Sequence, residues 1–374
     1  MTSKDTQVMF DKVRCIHIKE EFYLFFDIFI SNETIMFVSM WYPTYNINLK
    51  KIKLFFNGKE YIINKIIHHP MIYQGHENKY ICSYEYDDLK EYISINNEIT
   101  FTIKYENENL EKSFTLIQNP HPHREKVLVT EFKKDWFLLK SWISYYKNLG
   151  IDYFILYYND ILDVNLKNYV EQFDNILLIE WTYPYIMKDN GLDKKHYRML
   201  RQQLCSQTAA LNICLYKYGP EIDLFFNNDL DEFLSKDTFD TIIDKKNKDI
   251  VYFSNKCKWA HLKDYKTPTK DDDYNFIFNN SGKDIVCPED KYLKGIVNIE
   301  YAPKFVCRPK YVKYINCHEI NSSFYNGKAI ISGFFYHFLN FTDGLRRKDK
   351  KRLPNYDIDK NKVDTTANNV ILTF

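Results

Sequence analysis

The stretch Phe225-Phe226-Asn227-Asn228-Asp229-Leu230-Asp231-Glu232-Phe233-Leu234 runs an apolar segment straight into three carboxylates. Asp229 and Asp231 are two apart at the end of what reads as a strand, where an irregular backbone lets both side chains reach one cation. Carboxylate oxygens are hard ligands that suit Mg²⁺ or Mn²⁺, ions commonly shared with the phosphates of a substrate. A bare Asp-x-Asp also describes a solvated acidic turn, so the reading depends on the apolar run before it. Other chemistries lack their signatures. Neither G-x-G-x-x-G nor G-x-x-x-x-G-K-[ST] occurs, which removes the main support for a dinucleotide or P-loop site. The eight cysteines contain no C-x-x-C pair, so finger- or ribbon-type zinc sites are not expected. His121 and His123 flank Pro122 and read as a solvated linker rather than a metal pair. Lys270-Asp271-Asp272-Asp273 reads as a solvated loop, since like charges repel in a packed site.

The elements that must position the acidic motif follow from periodicity. Lys126–Thr130 is a short apolar strand, and residues 134–149 carry Leu138, Leu139, Trp142, Ile143, Tyr146 and Leu149 at helical spacing, with Gly150 placed as a C-terminal cap. Strands at 152–158, 176–180 and 222–226 alternate with helices at 162–173 and 193–218. Strand and helix taking turns predict an α/β fold, a mostly parallel sheet with flanking helices. Ligands of such sheets bind beyond the carboxyl ends of the strands, where Asp229 and Asp231 fall. The first 120 residues read differently. They hold short alternating strands, among them 100–105 and 113–116, and an Asn57-Gly58 hairpin signal, the pattern of an all-β, sandwich-like domain. Asn119-Pro120-His121-Pro122-His123-Arg124 is the linker, because two prolines block helix and ladder alike. The expected organisation is a β-domain at 1–120, an α/β domain at 121–353 and a tail at 354–374.

The 374 residues carry 51 Lys plus Arg against 50 Asp plus Glu, a balance that excludes a generally basic nucleic-acid binder. Hydrophobic content of 45% with 27% charged residues excludes wholesale disorder. The aromatic share of 17% fits the Lys, Asn, Ile, Tyr and Phe bias of an AT-rich coding sequence. No apolar stretch approaches the roughly 18 residues of a membrane span, and the first residues are polar. These features lead us to expect reduced thiols and a cytoplasmic protein.

Four segments in order resemble glycosyltransferase family 92, enzymes of the GT-A fold, over roughly 60% of the chain. Val127-Leu128-Val129-Thr130-Glu131-Phe132, followed by Trp136, Leu139, Trp142, Tyr145, Tyr146, Leu149 and Gly150, is similar to the family's opening strand and glycine-capped helix. Gln207-Thr208-Ala209-Ala210-Leu211-Asn212-Ile213-Cys214 resembles its QxxAxNxC helix. Asn228–Phe233 resembles its DxDEF metal motif, and Arg308–Glu319 its strand ending in histidine. Tyr336-His337-Phe338 resembles a later His-Tyr pair, with Phe338 where Tyr is usual.

The resemblance implies a metal-dependent hexosyltransferase that moves a sugar, galactose as the first expectation, from a UDP-sugar to a hydroxyl of a glycan, protein or lipid, with inversion. It implies Mn²⁺ or Mg²⁺ on Asp229, Asp231 and His318. It places Glu131, Asn159, Asp160, Arg201, Gln207, Asp229 and His337 around the donor. Asp290 and Glu289 are the expected bases for the acceptor hydroxyl, since GT-A enzymes often carry one after the metal motif. The basic run Arg346–Arg352 reads as a solvated helix end, with diphosphate or an anionic membrane surface as its alternative contacts. Two other readings compete: a haloacid-dehalogenase-like phosphatase, whose DxDx[TV] is broken here by Phe233, and a non-catalytic carbohydrate-binding protein on a decayed transferase domain.

Overall fold

The computed structural model describes residues 121–133, 135–185, 206–245, 249–262, 285–286 and 303–338, with shorter stretches between 9 and 117. Arg201, Glu289, Asp290, the 270–273 loop and the 346–352 run lie outside them.

Ten described strands form one sheet: β1 (Met9–Lys12), β2 (Arg124–Phe132), β3 (Tyr153–Tyr158), β4 (Ile176–Glu180), β5 (Ile222–Asn227), β6 (Glu232–Leu234), β7 (Ile250–Leu262), β8 (Ile285–Val286), β9 (Lys304–Cys307) and β10 (Lys328–Phe338). Their order is β1-β4-β3-β2-β5-β9-β7-β10-β6, with β8 beside β7. The first five in that order are mutually parallel. The chain steps outward from β2 through β3 to β4, then returns to place β5 on the other side of β2. The crevice between β2 and β5 is therefore the topological switch point, where open α/β sheets bind ligands.

Helices cover both faces of the sheet, which is why the strands are apolar in succession rather than in alternation. α1 (Leu139–Leu149) follows a single 3₁₀ turn at Trp136–Leu138, and α2 (Val164–Val170) lies on the same side. Leu128, Phe154, Leu178 and Phe226 point to that face and pack with Trp142, Ile143 and Tyr146. α1 ends where Gly150 takes φ +106°, its amide donating to Tyr146 and Lys147 carbonyls. A side chain would be strained at that angle. Val127, Val129, Ile155, Leu177 and Phe225 face the other way, toward α3 (Ser206–Lys217). Every residue from Ser206 to Leu215 is buried, so this helix is covered all round.

The cover on the outer side of α3 comes from the N-terminal region. Strands Asp27–Ser31, Thr34–Val38, Ile81–Tyr84 and Lys65–His68 form one antiparallel sheet, and Leu110–Ile117, Glu98–Tyr105, Ile52–Phe56 and Lys59–Ile62 form another. The Asn57-Gly58 hairpin is present, with φ of +48° and +77° as a two-residue primed turn requires. Phe25, Ile28, Ile35 and Phe37 share a core with Leu54, Phe101 and Ile103 of the second sheet. The intervening residues Phe26, Phe29, Met36 and Val38 belong instead to the cluster around α3.

One expected strand is corrected. Residues 311–315 form no ladder: a 3₁₀ turn occupies Pro309–Tyr311, and Val312 makes a single bridge to Tyr325. The strand lies earlier, at Lys304–Cys307, antiparallel to β5. The backbone beyond it is satisfied by a side chain: the Ile315 amide donates to Asn212 Oδ1 at 3.1 Å, and Asn212 Nδ2 donates to the Ile315 carbonyl at 2.8 Å. α4 (Lys236–Lys245) packs beside β10.

Candidate active site

β5 ends at Asn227 and the chain turns at once. The Glu232 amide donates to the Asp229 carbonyl at 3.0 Å, and the Asp229 amide donates to Glu232 Oε2 at 2.8 Å. The turn sets β6 against β10 with Glu232 opposite His337 and Phe233 opposite Tyr336. Residues directly opposite in an antiparallel pair project to the same face. That register delivers His337 to the acidic motif.

Three α1 aromatics hold the turn from below. Trp142 Nε1 donates to the Asp229 carbonyl at 3.0 Å, and the Tyr145 hydroxyl to the Leu234 carbonyl at 2.5 Å. The Tyr146 hydroxyl donates to the Glu232 carbonyl at 3.1 Å while accepting from the Leu234 amide at 3.0 Å. The stripe that reads as core in the sequence thus also fastens the backbone of the motif.

Ligand atoms of Asp231, Glu232 and His337 lie within 4.8 Å of one another. His337 Nε2 is 3.5 Å from Asp231 Oδ2, and Nδ1 is 3.6 Å from Glu232 Oε1. Burial disfavours the charged imidazole, but Asp231 and Glu232 outweigh it and hold the His337 pKa well above its usual value. Of the residues expected to hold a metal, Asp231 lies in this group, with Glu232 and His337 as its neighbours there.

Asp229 is engaged elsewhere. Its Oδ1 accepts from Gln207 Nε2 at 2.9 Å and lies 3.0 Å from Lys304 Nζ. The same ammonium is 3.2 Å from Glu232 Oε2 and is wholly buried. Burial raises the Asp229 carboxyl, but the Lys304 charge prevails and holds it below the ordinary range. Burial raises Glu232 as well; Lys304 opposes this, Asp229 adds to it, and the net shift is upward.

His318 stands beside the cluster rather than in it. Asn227 Nδ2 donates to the Cys317 carbonyl at 3.0 Å, which ties the neighbouring residue to the end of β5. Burial first, then the Lys304 charge, brings the His318 pKa down to about 4, so the ring is neutral at neutral pH. Its Nδ1 is buried and has no hydrogen-bond partner among the described residues.

Three of the residues expected around the donor, Glu131, Asn159 and Asp160, fall at the ends of β2 and β3. Glu131 is buried and its Oε1 accepts from the Ser206 hydroxyl at 3.1 Å, at the start of α3. Asn159 is buried with Nδ2 donating to the Trp181 and Tyr183 carbonyls at 3.1 and 2.7 Å, so its amide joins two loops. Asp160 is more exposed and pairs with Lys133 at 2.9 Å. Gln207 reaches the motif directly, through Asp229.

Sequence patterns alone point neither to Glu232, which lies within the acidic motif, nor to Lys304. The available signal for Lys304 is its place heading the apolar run Phe305-Val306-Cys307, all of it buried. A lysine in such a strand needs an internal partner.

A mostly parallel sheet with helices on both faces, and an acidic turn at its switch point, fit a GT-A-like domain. The sequence model of glycosyltransferase family 92 matches residues 129–371, and the chain belongs to that family. It is a glycosyltransferase, acting between a sugar donor and a glycoconjugate acceptor. The phosphatase and the non-catalytic readings give way to this assignment. No curated protein matches the chain. Among the described residues no helix is long and apolar enough to cross a membrane.

Proposed function

We propose that the enzyme transfers a sugar, galactose first, from a UDP-sugar to a hydroxyl of a glycan, protein or lipid, with inversion and with Mn²⁺ or Mg²⁺ as cofactor. The observation that carries the reading is the convergence of Asp231, Glu232 and His337 within 4.8 Å at the switch point. The two carboxylates are hard oxygen ligands that suit these ions, and the imidazole completes the set. Asp231 and His337 would hold the ion with Glu232 beside them. When bound, a divalent cation stabilises the charge that develops on the departing diphosphate.

The remaining roles belong to the chain itself. Asp229, with Oδ1 held by Gln207 and Lys304, keeps its second oxygen for a donor hydroxyl. His318 offers a neutral ring nitrogen to the diphosphate side. Glu131, Asn159 and Asp160 shape the wall for the uracil and ribose, and Arg201 meets the diphosphate. Asp290 or Glu289 takes the proton of the acceptor hydroxyl as it attacks the anomeric carbon. Residues 1–120 supply β1 to the edge of the catalytic sheet and otherwise an all-β module whose first sheet covers α3, with 121–353 the catalytic domain and 354–374 a tail. The protein works in the cytoplasm, where the basic run at 346–352 can meet an anionic membrane surface.

Thermal unfolding with Mn²⁺ and UDP-sugars tests this reading. A ligand bound only by the folded state at a hundred times its Kd stabilises by about 2.7 kcal/mol. We expect a rise with UDP-galactose that needs Mn²⁺, is abolished in Asp231→Asn, and is weakened more by His337→Ala than by His318→Ala. The reverse order for the two histidines would restore His318 as the ligand. No shift across UDP-galactose, UDP-glucose and their N-acetyl forms would count against the donor class.

A further inference from the structure

Lys304 is a buried charge whose only part in the proposed reaction is to hold Asp229. It opens β9, which runs antiparallel to β5 with Phe305 opposite Asn227, so its side chain enters the site from beneath the acidic turn. Its ammonium lies 3.0 Å from Asp229 Oδ1 and 3.2 Å from Glu232 Oε2, at zero exposure. A group so placed cannot reach a substrate through solvent. It acts on whatever binds above it only through the two carboxylates it touches.

The charge balance gives this contact a consequence. Asp229, Asp231 and Glu232 bring three negative charges into a four-residue span. Three carboxylates this close repel one another unless a cation lies among them. Lys304 supplies one, and Glu232 turns Oε2 to the lysine and Oε1 to His337. The cluster is thereby divided into two halves. One, between Asp229 and Glu232, is filled by an ammonium that belongs to the chain. The other, between Asp231 and His337, is left for an exchangeable ion.

We propose that Lys304 is the resident counter-cation of the site, occupying the position between Asp229 and Glu232 that would otherwise admit a second divalent ion and so limiting the enzyme to one. This rests on the divalent-ion reading given above. Lys304 is then a positioning residue, which holds Asp229 away from the metal and aims its free oxygen outward.

The test counts ions rather than turnover. Mn²⁺ stoichiometry and affinity are measured by calorimetry on the full chain without donor, for the native protein, Lys304→Met and Lys304→Arg, with thermal unfolding in parallel. The native chain and Lys304→Arg should bind one ion. Lys304→Met should unfold at lower temperature without metal, regain most of that loss with Mn²⁺, and bind either two ions or one at least tenfold more tightly. One ion at unchanged affinity in Lys304→Met would overturn the proposal and leave Lys304 a structural residue. Two ions in the native chain would overturn it as well. No ion in the native chain would defeat the divalent-ion reading itself, a distinct result. Should Lys304→Met fail to fold, Lys304→Met/Asp229→Asn removes one charge of each sign and should fold and bind one ion; failure of that double variant to fold would show that charge balance is not what Lys304 provides.

Discussion

Lys217, the last residue of α3, is the sharpest test of how the N-terminal strands are joined to the catalytic sheet. Its ammonium lies 2.7 Å from Asp11 Oδ2 and 3.3 Å from Asp27 Oδ2. Asp27 has no exposure, and its Oδ1 accepts from the Arg14 and Ile28 amides at 2.8 and 2.9 Å. Burial raises the Asp27 carboxyl, with the Lys217 charge opposing. Lys217→Met keeps the aliphatic stem and removes the cation. Deleting one partner of a buried ion pair costs about 3–5 kcal/mol. Asp27 keeps both amide donors, so we expect the lower end, about 3 kcal/mol, in urea unfolding at neutral pH. The sign of the pH dependence follows from the raised carboxyl. Ionised Asp27 without its partner disfavours the fold, so the deficit is full above its folded pKa and shrinks as pH falls through that value. Asp27→Asn in the same background should recover much of the loss. A deficit under about 1 kcal/mol, or one indifferent to acid, would refute the view that this triad is a buried electrostatic joint.

Removing residues 1–120 takes β1 from the sheet and Phe26, Phe29 and Met36 from α3, whose first turn holds Gln207 on Asp229. We expect such a fragment to lose cooperative unfolding and donor binding together; a fragment that melts cooperatively and binds UDP would show the catalytic domain to be self-sufficient. Tyr146→Phe leaves the buried Leu234 amide without its acceptor and should cost about 1–3 kcal/mol in chemical unfolding, with weaker Mn²⁺ binding because the same hydroxyl steadies Glu232. Burial and the nearby Lys217 charge bring the His121 pKa down to about 4, so the fold prefers the neutral ring. Stability from this group is complete above the unfolded value near 6.5 and lost as pH falls toward 4, by about 3 kcal/mol. His121→Gln should flatten that part of the acid limb, and an unchanged limb would show the ring to be solvated.

What the sequence determined is local. Alternation of apolar runs with helical stripes defines β2, α1, β3, α2, β4 and β5, Gly150 stops α1, and Asn57-Gly58 turns a hairpin, because each signal lies within a few residues of its effect. The position of Asp229 and Asp231 just past a strand is legible for the same reason. Which groups stand around them was decided by the tertiary structure. His337 joins the site through its register with Glu232 across β6 and β10, and a slip of one residue would turn it to the other face. Lys304 arrives because β9 runs antiparallel to β5. Arg308–Glu319 resembles a strand ending in histidine, yet no ladder forms at 311–315, and the Asn212 amide takes both backbone bonds of Ile315. Periodicity records which face a residue prefers; it carries no information on which distant strand will lie beside it. The charge partners of Asp229 and Asp231 come from such distant strands and from α3, so only the assembled sheet assigns one carboxylate to a lysine and the other to a histidine.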